Sequence, residues 1–291
     1  MNQGLPIWFK QQLPRAGESS RVERLLSHLK LHTVCQGAHC PNIGQCFSAG
    51  TATFMIMGDI CVRNCTFCAV NKGIPLPLDA DEPLRIAEAV KQLELNYVVI
   101  TCVTRDDLPD GGASHFAQTI SQLHTAIPAI RVEVLVSDFN GNEESIKTVA
   151  EAAPGVFSHN LETIPRLYPF VRPMAQYQRS LDVLRKAKEI NRYMITKSGI
   201  MLGLGEEQDE VVDVMRDLRQ AGCELLSLGQ YLAPTQAHHP VVDFITPEKF
   251  AEYERIGMVE GFKGIASAPL VRSSFRAAEL FDRAINPQTN N

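Results

Sequence analysis

Thr53-Phe54-Met55-Ile56-Met57-Gly58-Asp59-Ile60-Cys61-Val62-Arg63-Asn64-Cys65-Thr66-Phe67-Cys68 decides the fold. Its first half, 53–58, is an apolar run of strand length, too apolar to face water on either side. A parallel sheet covered by helices requires strands of that kind. Its second half carries three cysteines spaced C-x3-C-x2-C, directly where the strand ends. Parallel α/β folds build their sites from the loops at the carboxyl ends of strands. A doubly wound sheet would show a glycine fingerprint after its first strand; here a cysteine loop stands in its place.

The same pattern recurs along the chain. Five more apolar runs, 97–101, 130–136, 156–159, 194–202 and 224–229, read as strands. Helical spacing fills about 82–95, 112–126, 143–153, 176–190, 207–220 and 247–260. A six-fold β/α alternation predicts a partial parallel (β/α)6 barrel of the TIM type. Polar residues gather just past the strand ends, at Thr104 to Asp107, Ser137 and Asp138, Asn160 and Glu162, and Gln230. Upstream, 1–34 reads as an arm with a helix over about 19–31, whose Val22, Leu25, Leu26 and Leu29 share one side. The tail from Asn286 is expected to fray. The division expected is 1–50 for the arm and a first cysteine loop, 51–262 for the barrel and 263–291 for a C-terminal extension.

Six of the eight cysteines lie within residues 35–68. Cys35, Cys40 and Cys46, spaced C-x4-C-x5-C in a loop closed by Cys40-Pro41-Asn42-Ile43-Gly44, form a second triplet. Thiolates are the soft ligands that iron–sulfur clusters select. Three in one loop leave one iron open to a small molecule, so two triplets imply two clusters with different tasks. A chain of 291 residues needs no disulfide staples. Structural zinc wants four closed ligands, and each triplet is one short, with His39 awkwardly placed to complete the first. Cys102 and Cys223, in apolar contexts, read as buried small residues. A net charge of −5 without a basic run advertises no nucleic-acid surface. No apolar stretch approaches the length of a membrane span. The N-terminus shows no basic-then-apolar secretory pattern, and cysteine use fits a reducing, cytoplasmic setting.

The loop Cys61–Cys68, with Phe67 before the third cysteine, resembles that of the radical S-adenosylmethionine superfamily. The resemblance implies that Cys61, Cys65 and Cys68 hold a [4Fe–4S] cluster whose fourth iron is chelated by S-adenosylmethionine, which one electron cleaves to a 5′-deoxyadenosyl radical. The surrounding motifs narrow it. CPNIGQC (40–46), RDDLPDGGASHF (105–116), HNLET (159–163), TKSG (196–199), GQYL (229–232) and PLVRSSF (269–275) together look like the lipoyl synthase family, over about Cys35 to Phe275. By that resemblance Cys35, Cys40 and Cys46 bind an auxiliary [4Fe–4S] cluster whose fourth ligand is a serine of the Arg-Ser-Ser motif, matched here to Ser274 rather than Ser273. The activity implied is sulfur insertion at C6 and C8 of a protein-bound octanoyl-lysine. Two S-adenosylmethionines are used per product, and the auxiliary cluster gives up the sulfur. The implied partners are octanoylated lipoyl carrier domains (2-oxoacid dehydrogenase E2 subunits, the glycine cleavage H protein), an electron donor such as ferredoxin or flavodoxin, and iron–sulfur carrier proteins.

Other residues carry expectations of their own. Asn160 and Glu162, at the carboxyl rim, are candidate ligands for S-adenosylmethionine, with Lys197 and Arg172 beside them. A lysine in an apolar strand needs a counter-charge or a wet site. Asp107 and Arg272 are candidate substrate contacts, although Asp107 could equally pair with its charged neighbours. Read in isolation, RSSF is a helix start with a serine cap. Gly203-Leu204-Gly205-Glu206 lacks the lysine and hydroxyl of a phosphate loop, and is expected to pack on an adenine or turn into a helix. His238-His239 reads as a surface loop. Cys102, Thr104 and Phe275 depart from the family's usual residues. The rival readings are another radical enzyme that inserts sulfur, of the biotin synthase or methylthiotransferase kind, and a zinc-binding interaction module.

Overall fold

In the computed structural model, which describes residues 5–9 and 20–286, seven parallel strands run in sequence order. They are β1 (Thr53–Ile56), β2 (Tyr97–Cys102), β3 (Arg131–Leu135), β4 (Val156–Ser158), β5 (Ile195–Leu202), β6 (Leu225–Gln230) and β7 (Gly264–Ser267). Six helices connect them: α1 (Glu82–Gln92), α2 (Ala113–Ala126), α3 (Glu143–Glu151), α4 (Tyr177–Ile190), α5 (Gln208–Gln220) and α6 (Pro247–Val259). All six expected strands and helices are present, and β7 is one strand more. The register is continuous; one row across the sheet runs Met55, Thr101, Leu135, Ser158, Lys197 and Leu225. No ladder joins β7 back to β1 among the described residues, so the barrel is partial. Instead, a short antiparallel strand, His32–Thr33, borders β1.

The pleat divides each strand. Val98, Ile100, Val132, Val134 and Phe157 are buried in the core formed with the covering helices. Burying such side chains contributes roughly 1.5–3 kcal/mol each. Alternate positions face the barrel interior. There Lys197 and Glu133, both 1% exposed, pair at 2.8 Å, and the Tyr97 hydroxyl donates to Glu133 at 2.6 Å. These bonds offset the cost of taking two charges out of water. A final helix, α7 (Ala277–Ile285), closes the amino end of the barrel. Its Leu280 and Ala284 pack on Val156, Ile195 and Leu225, the first residues of three strands. Arg131 and Asp282 pair beside it.

Three expectations change. The first cysteine segment is not a plain loop: Cys35 lies on a helix of four residues, Val34–Gly37, and Cys46 on Ile43–Ser48. No serine caps α7. Arg276, in the left-handed region at φ 52°, is its N-cap and makes no side-chain cap bond. The arm's helix runs Ser20–His28; the start expected at Ser19 and the tail beyond Asn286 lie outside the described residues.

Candidate active site

At the carboxyl end of the barrel is a cavity of about 500 Å³. Five of the six clustered cysteines line it: Cys35 and Cys40 on one side, and Cys61, Cys65 and Cys68 on the other. Cys46 stands behind, half-buried. No cysteine among the described residues is in a disulfide. Burial pushes the Cys68 thiol up to about 11, with Cys65 and Cys61 adding to it. Burial likewise raises Cys46 to about 11, helped by Cys35 and Cys40. Thiols so crowded and desolvated carry protons until a cation replaces them; binding a metal cluster releases those protons. Among the described residues, no group of three or more His, Cys, Asp or Glu is gathered tightly enough to hold a single metal ion. Each triplet offers three soft thiolates, one fewer than the four closed ligands of structural zinc, a donor set suited to an iron–sulfur cluster with one iron open.

The wall between the triplets comes from three segments. The HNLET loop follows β4. His159 is fully buried, and its Nδ1 lies 2.9 Å from the Val136 carbonyl oxygen. A carbonyl only accepts, so Nδ1 holds the proton and Nε2 is left as an acceptor. Nε2 has no partner, nor does the buried Asn160 Oδ1. Buried polar atoms without partners at a cavity wall mark where a polar ligand belongs. Glu162 sits at φ 66°, a strained conformation for a side-chain-bearing residue. Burial raises its pKa, with Arg172 and Asn160 opposing. Asn160 Nδ2 donates to Glu162 at 3.0 Å. Arg172 reaches back from beyond the loop and donates to the carbonyls of Asn160 and Leu161 at 2.9 and 3.0 Å. Its Nε is buried without a partner.

The second segment, Pro269 to Phe275, crosses the mouth. It passes so close to β6 that a Cβ on Gly229 would overlap the Val271 carbonyl; only glycine fits there. Asn42 of the arm donates to the Leu270 carbonyl at 2.7 Å. The two serines then part. Ser273 accepts from Asn160 at 2.7 Å. Ser274 accepts from the Thr53 hydroxyl at 2.8 Å, and Thr53 also contacts Cys35. Arg272 lines the cavity; desolvation lowers its pKa, while Cys40 raises it. The third segment, Ser137 and Asp138 after β3, also lines the cavity.

Two expected residues are not brought to the cavity. Lys197 lies a layer deeper on β5, paired with Glu133, so its counter-charge is in the barrel floor. Asp107 points away, pairing with Arg105 at 2.8 Å with its side chain 37% exposed. The Gly203–Glu206 turn is stabilised by Glu206, which accepts from the amides of Gly203 and Leu204. It does not line the cavity. The His238-His239 loop is not free surface: the His239 amide donates to the Thr66 carbonyl at 2.9 Å, within the second cysteine loop.

Residues 55–218 match the Radical SAM superfamily. A lipoyl synthase of Caldanaerobacter subterraneus is 57% identical over 94% of this chain and 95% of its own. One of Caldicellulosiruptor bescii is 54% identical, covering 95% of each. The chain belongs to the lipoyl synthase family. A third member, from Rubrobacter xylanophilus, is 51% identical over 97% of this chain and 88% of its own. The family's cofactors are [4Fe–4S] clusters and S-adenosylmethionine. Two solved structures share the fold at low identity. Methylornithine synthase has a TM-score of 0.56 at 13%, over 84% of this chain and 70% of that one. A maturase of the [FeFe]-hydrogenase has 0.58 at 15%, over 92% and 66%. No helix among the described residues is long and apolar enough to cross a membrane.

Sequence reasoning placed Asp138 at the carboxyl rim but singled out neither His159 nor Thr53, which also line the cavity. His159 has a pH consequence. Burial, then the Arg172 charge, lowers its pKa from 6.5 to about 4. The unfolded chain therefore takes up a proton that the folded one resists. Stability is intact above 6.5 and is lost as pH falls from there towards 4. Between pH 7 and pH 5 the loss from this group is roughly 2 kcal/mol. Denaturant titrations at the two pH values should show that difference, reduced in His159→Gln; an equal slope in both proteins would contradict it.

Proposed function

We propose that the chain inserts two sulfur atoms, at C6 and C8 of a protein-bound octanoyl-lysine, to make the lipoyl group. The observation that carries this is one cavity lined by Cys61, Cys65 and Cys68 and by Cys35 and Cys40 of the other triplet, with partnerless buried polar atoms in its wall. Cys61, Cys65 and Cys68 would hold one [4Fe–4S] cluster, and Cys35, Cys40, Cys46 and Ser274 the auxiliary one. Bound together, the first cluster and S-adenosylmethionine supply a carbon radical strong enough to take hydrogen from an unactivated carbon, which no general base can do.

The chain's own residues do the rest. Asn160, Glu162 and Arg172 orient the amino-acid and ribose ends of S-adenosylmethionine, and the bare His159 Nε2 accepts from one of its donors. Apolar Met55, Leu135 and Ile200 at the wall exclude water from the reacting chain. Arg272 faces the auxiliary cluster and offsets its negative charge. The contact of Ser274 with Thr53, on the Cys35 side, supports it as the fourth ligand over Ser273, which faces Asn160. An alkoxide is a hard ligand on a soft cluster, hence a labile one, suited to an iron that must leave when sulfide is given up. The arm (1–50) and the extension (263–291) would then serve the auxiliary cluster, and 51–262 the radical chemistry. The carrier is an octanoylated lipoyl domain of an E2 subunit or H protein. Ferredoxin or flavodoxin supplies electrons, iron–sulfur carriers renew the cluster, and the setting is cytoplasmic.

Anaerobic reconstitution followed by metal analysis tests the ligand sets. About eight irons and eight sulfides per chain are expected. Zinc in a colourless protein would instead favour a binding module.

A further inference from the structure

Four residues of the stretch Arg105–His115 hold the loop that carries Cys61: Arg105 and Asp106 by hydrogen bonds, Gly112 by packing, and His115 through Glu82. Asp106 accepts two bonds from Arg63, at 2.6 and 2.9 Å. Arg63 is 5% exposed and also donates to Asp138 at 2.6 Å and Asn140 at 2.9 Å. Asp138 is itself fully buried and takes a further bond from Arg179 at 2.8 Å. The other end of the loop is Met57, at φ 68°, where β1 turns into the loop. Its amide donates to Glu82, which His115 also bonds at 2.7 Å. Its carbonyl accepts from Arg105 at 3.3 Å. Its side chain fills the space that a Cβ on Gly112 would need. Both ends of Met57–Arg63 are thus fixed by one bracket.

Simple stabilisation explains this poorly. Apolar packing would hold a loop at lower desolvation cost than the buried Arg63–Asp138 pair with Asp106 and Arg179 at its edge. What ion pairs add is directional rigidity and a defined local charge. The set is balanced: Arg63 and Arg179 against Asp106 and Asp138. The Arg63 amide also lies 3.5 Å from Cys61 Sγ, as a donor to that sulfur. Net charge and hydrogen bonds to the sulfurs set cluster potentials.

We propose that Arg63 and Asp106 are positioning residues that fix the place and the charge environment of the radical-generating cluster. This rests on the reading that Cys61, Cys65 and Cys68 hold that cluster, and iron analysis of the unaltered protein tests that reading separately.

The test is an EPR-monitored redox titration of the full chain with both clusters, following the signal that changes when S-adenosylmethionine is added. Asp106→Asn removes a negative charge and should raise that cluster's midpoint potential. Arg63→Gln removes a positive charge and should lower it. Asp106→Glu and Arg63→Lys, which keep the charges, should stay near the unaltered value. A merely structural role moves melting temperature and iron content in one direction for both variants and leaves the potentials alone. Shifts of the same sign, or unmoved potentials with lowered melting points, would overturn the proposal. Asp106 is partly exposed at 20%, so its two variants carry the test by themselves if Arg63→Gln does not fold.

Discussion

Cys65→Ala should abolish both 5′-deoxyadenosine formation and sulfur insertion, each by on the order of 10³-fold or more. Cys65 is the middle cysteine of its loop and stands beside Arg172 and Glu162, whose charges act on its thiol. With two thiolates remaining, the cluster has lost the three-point hold that leaves one iron open, and S-adenosylmethionine loses its chelating metal. Iron should fall from about eight to about four per chain, because the other triplet is built on separate elements, Val34–Gly37 and Ile43–Ser48. Deoxyadenosine is measured by chromatography and product by peptide mass. Retention of deoxyadenosine in Cys65→Ala would place the radical chemistry elsewhere.

Ser274→Ala should separate the two reactions. The loop at Cys61–Cys68 is untouched, so deoxyadenosine formation should stay within about three-fold. Lipoyl product should fall by about 100-fold, the scale on which metal sites respond to a lost ligand or its orienting partner. The neighbouring Ser273→Ala removes a hydroxyl that accepts from Asn160. It should act instead on the affinity for S-adenosylmethionine, through a loosened Asn160. The two serines therefore predict different kinetics: a lost product in one, a raised KM for S-adenosylmethionine in the other. If the phenotypes are exchanged, Ser273 is the ligand and the assignment is reversed.

The six β/α units were legible because buried parallel strands and amphipathic helices write their periods directly into the chain. Their observed ends fall within about three residues of those expected. β7 was not, since Gly264-Ile265-Ala266-Ser267 is four residues of mostly small side chains with no run to notice. The helices bearing Cys35 and Cys46 span barely a turn or two, too short for a period. At the site, the six cysteines were readable because their chemistry is local: ligand type and spacing lie in one stretch. Pairings across the fold were not. Lys197 announced a need for a carboxylate, but nothing in the sequence says that Glu133, 64 residues away, would answer it from the barrel floor. Arg63 and Asp106 are 43 residues apart and meet only because β1 and β2 are adjacent and parallel. Asp107 shows the opposite risk: a carboxyl-rim position alone does not aim a side chain into the cavity, and Arg105, two residues earlier, holds it outside.

The most direct measurement is a single turnover under anaerobic conditions. The chain is reconstituted with iron and ³⁴S-labelled sulfide, reduced, and given S-adenosylmethionine and an octanoyl-lysine peptide. The account predicts a peptide carrying two ³⁴S atoms, two deoxyadenosines per product, and loss of the auxiliary cluster with the radical cluster retained. Deoxyadenosine without labelled peptide, from protein verified to hold both clusters, would contradict sulfur donation by the auxiliary cluster. Absence of both products from that protein with a working reductant would contradict the account as a whole.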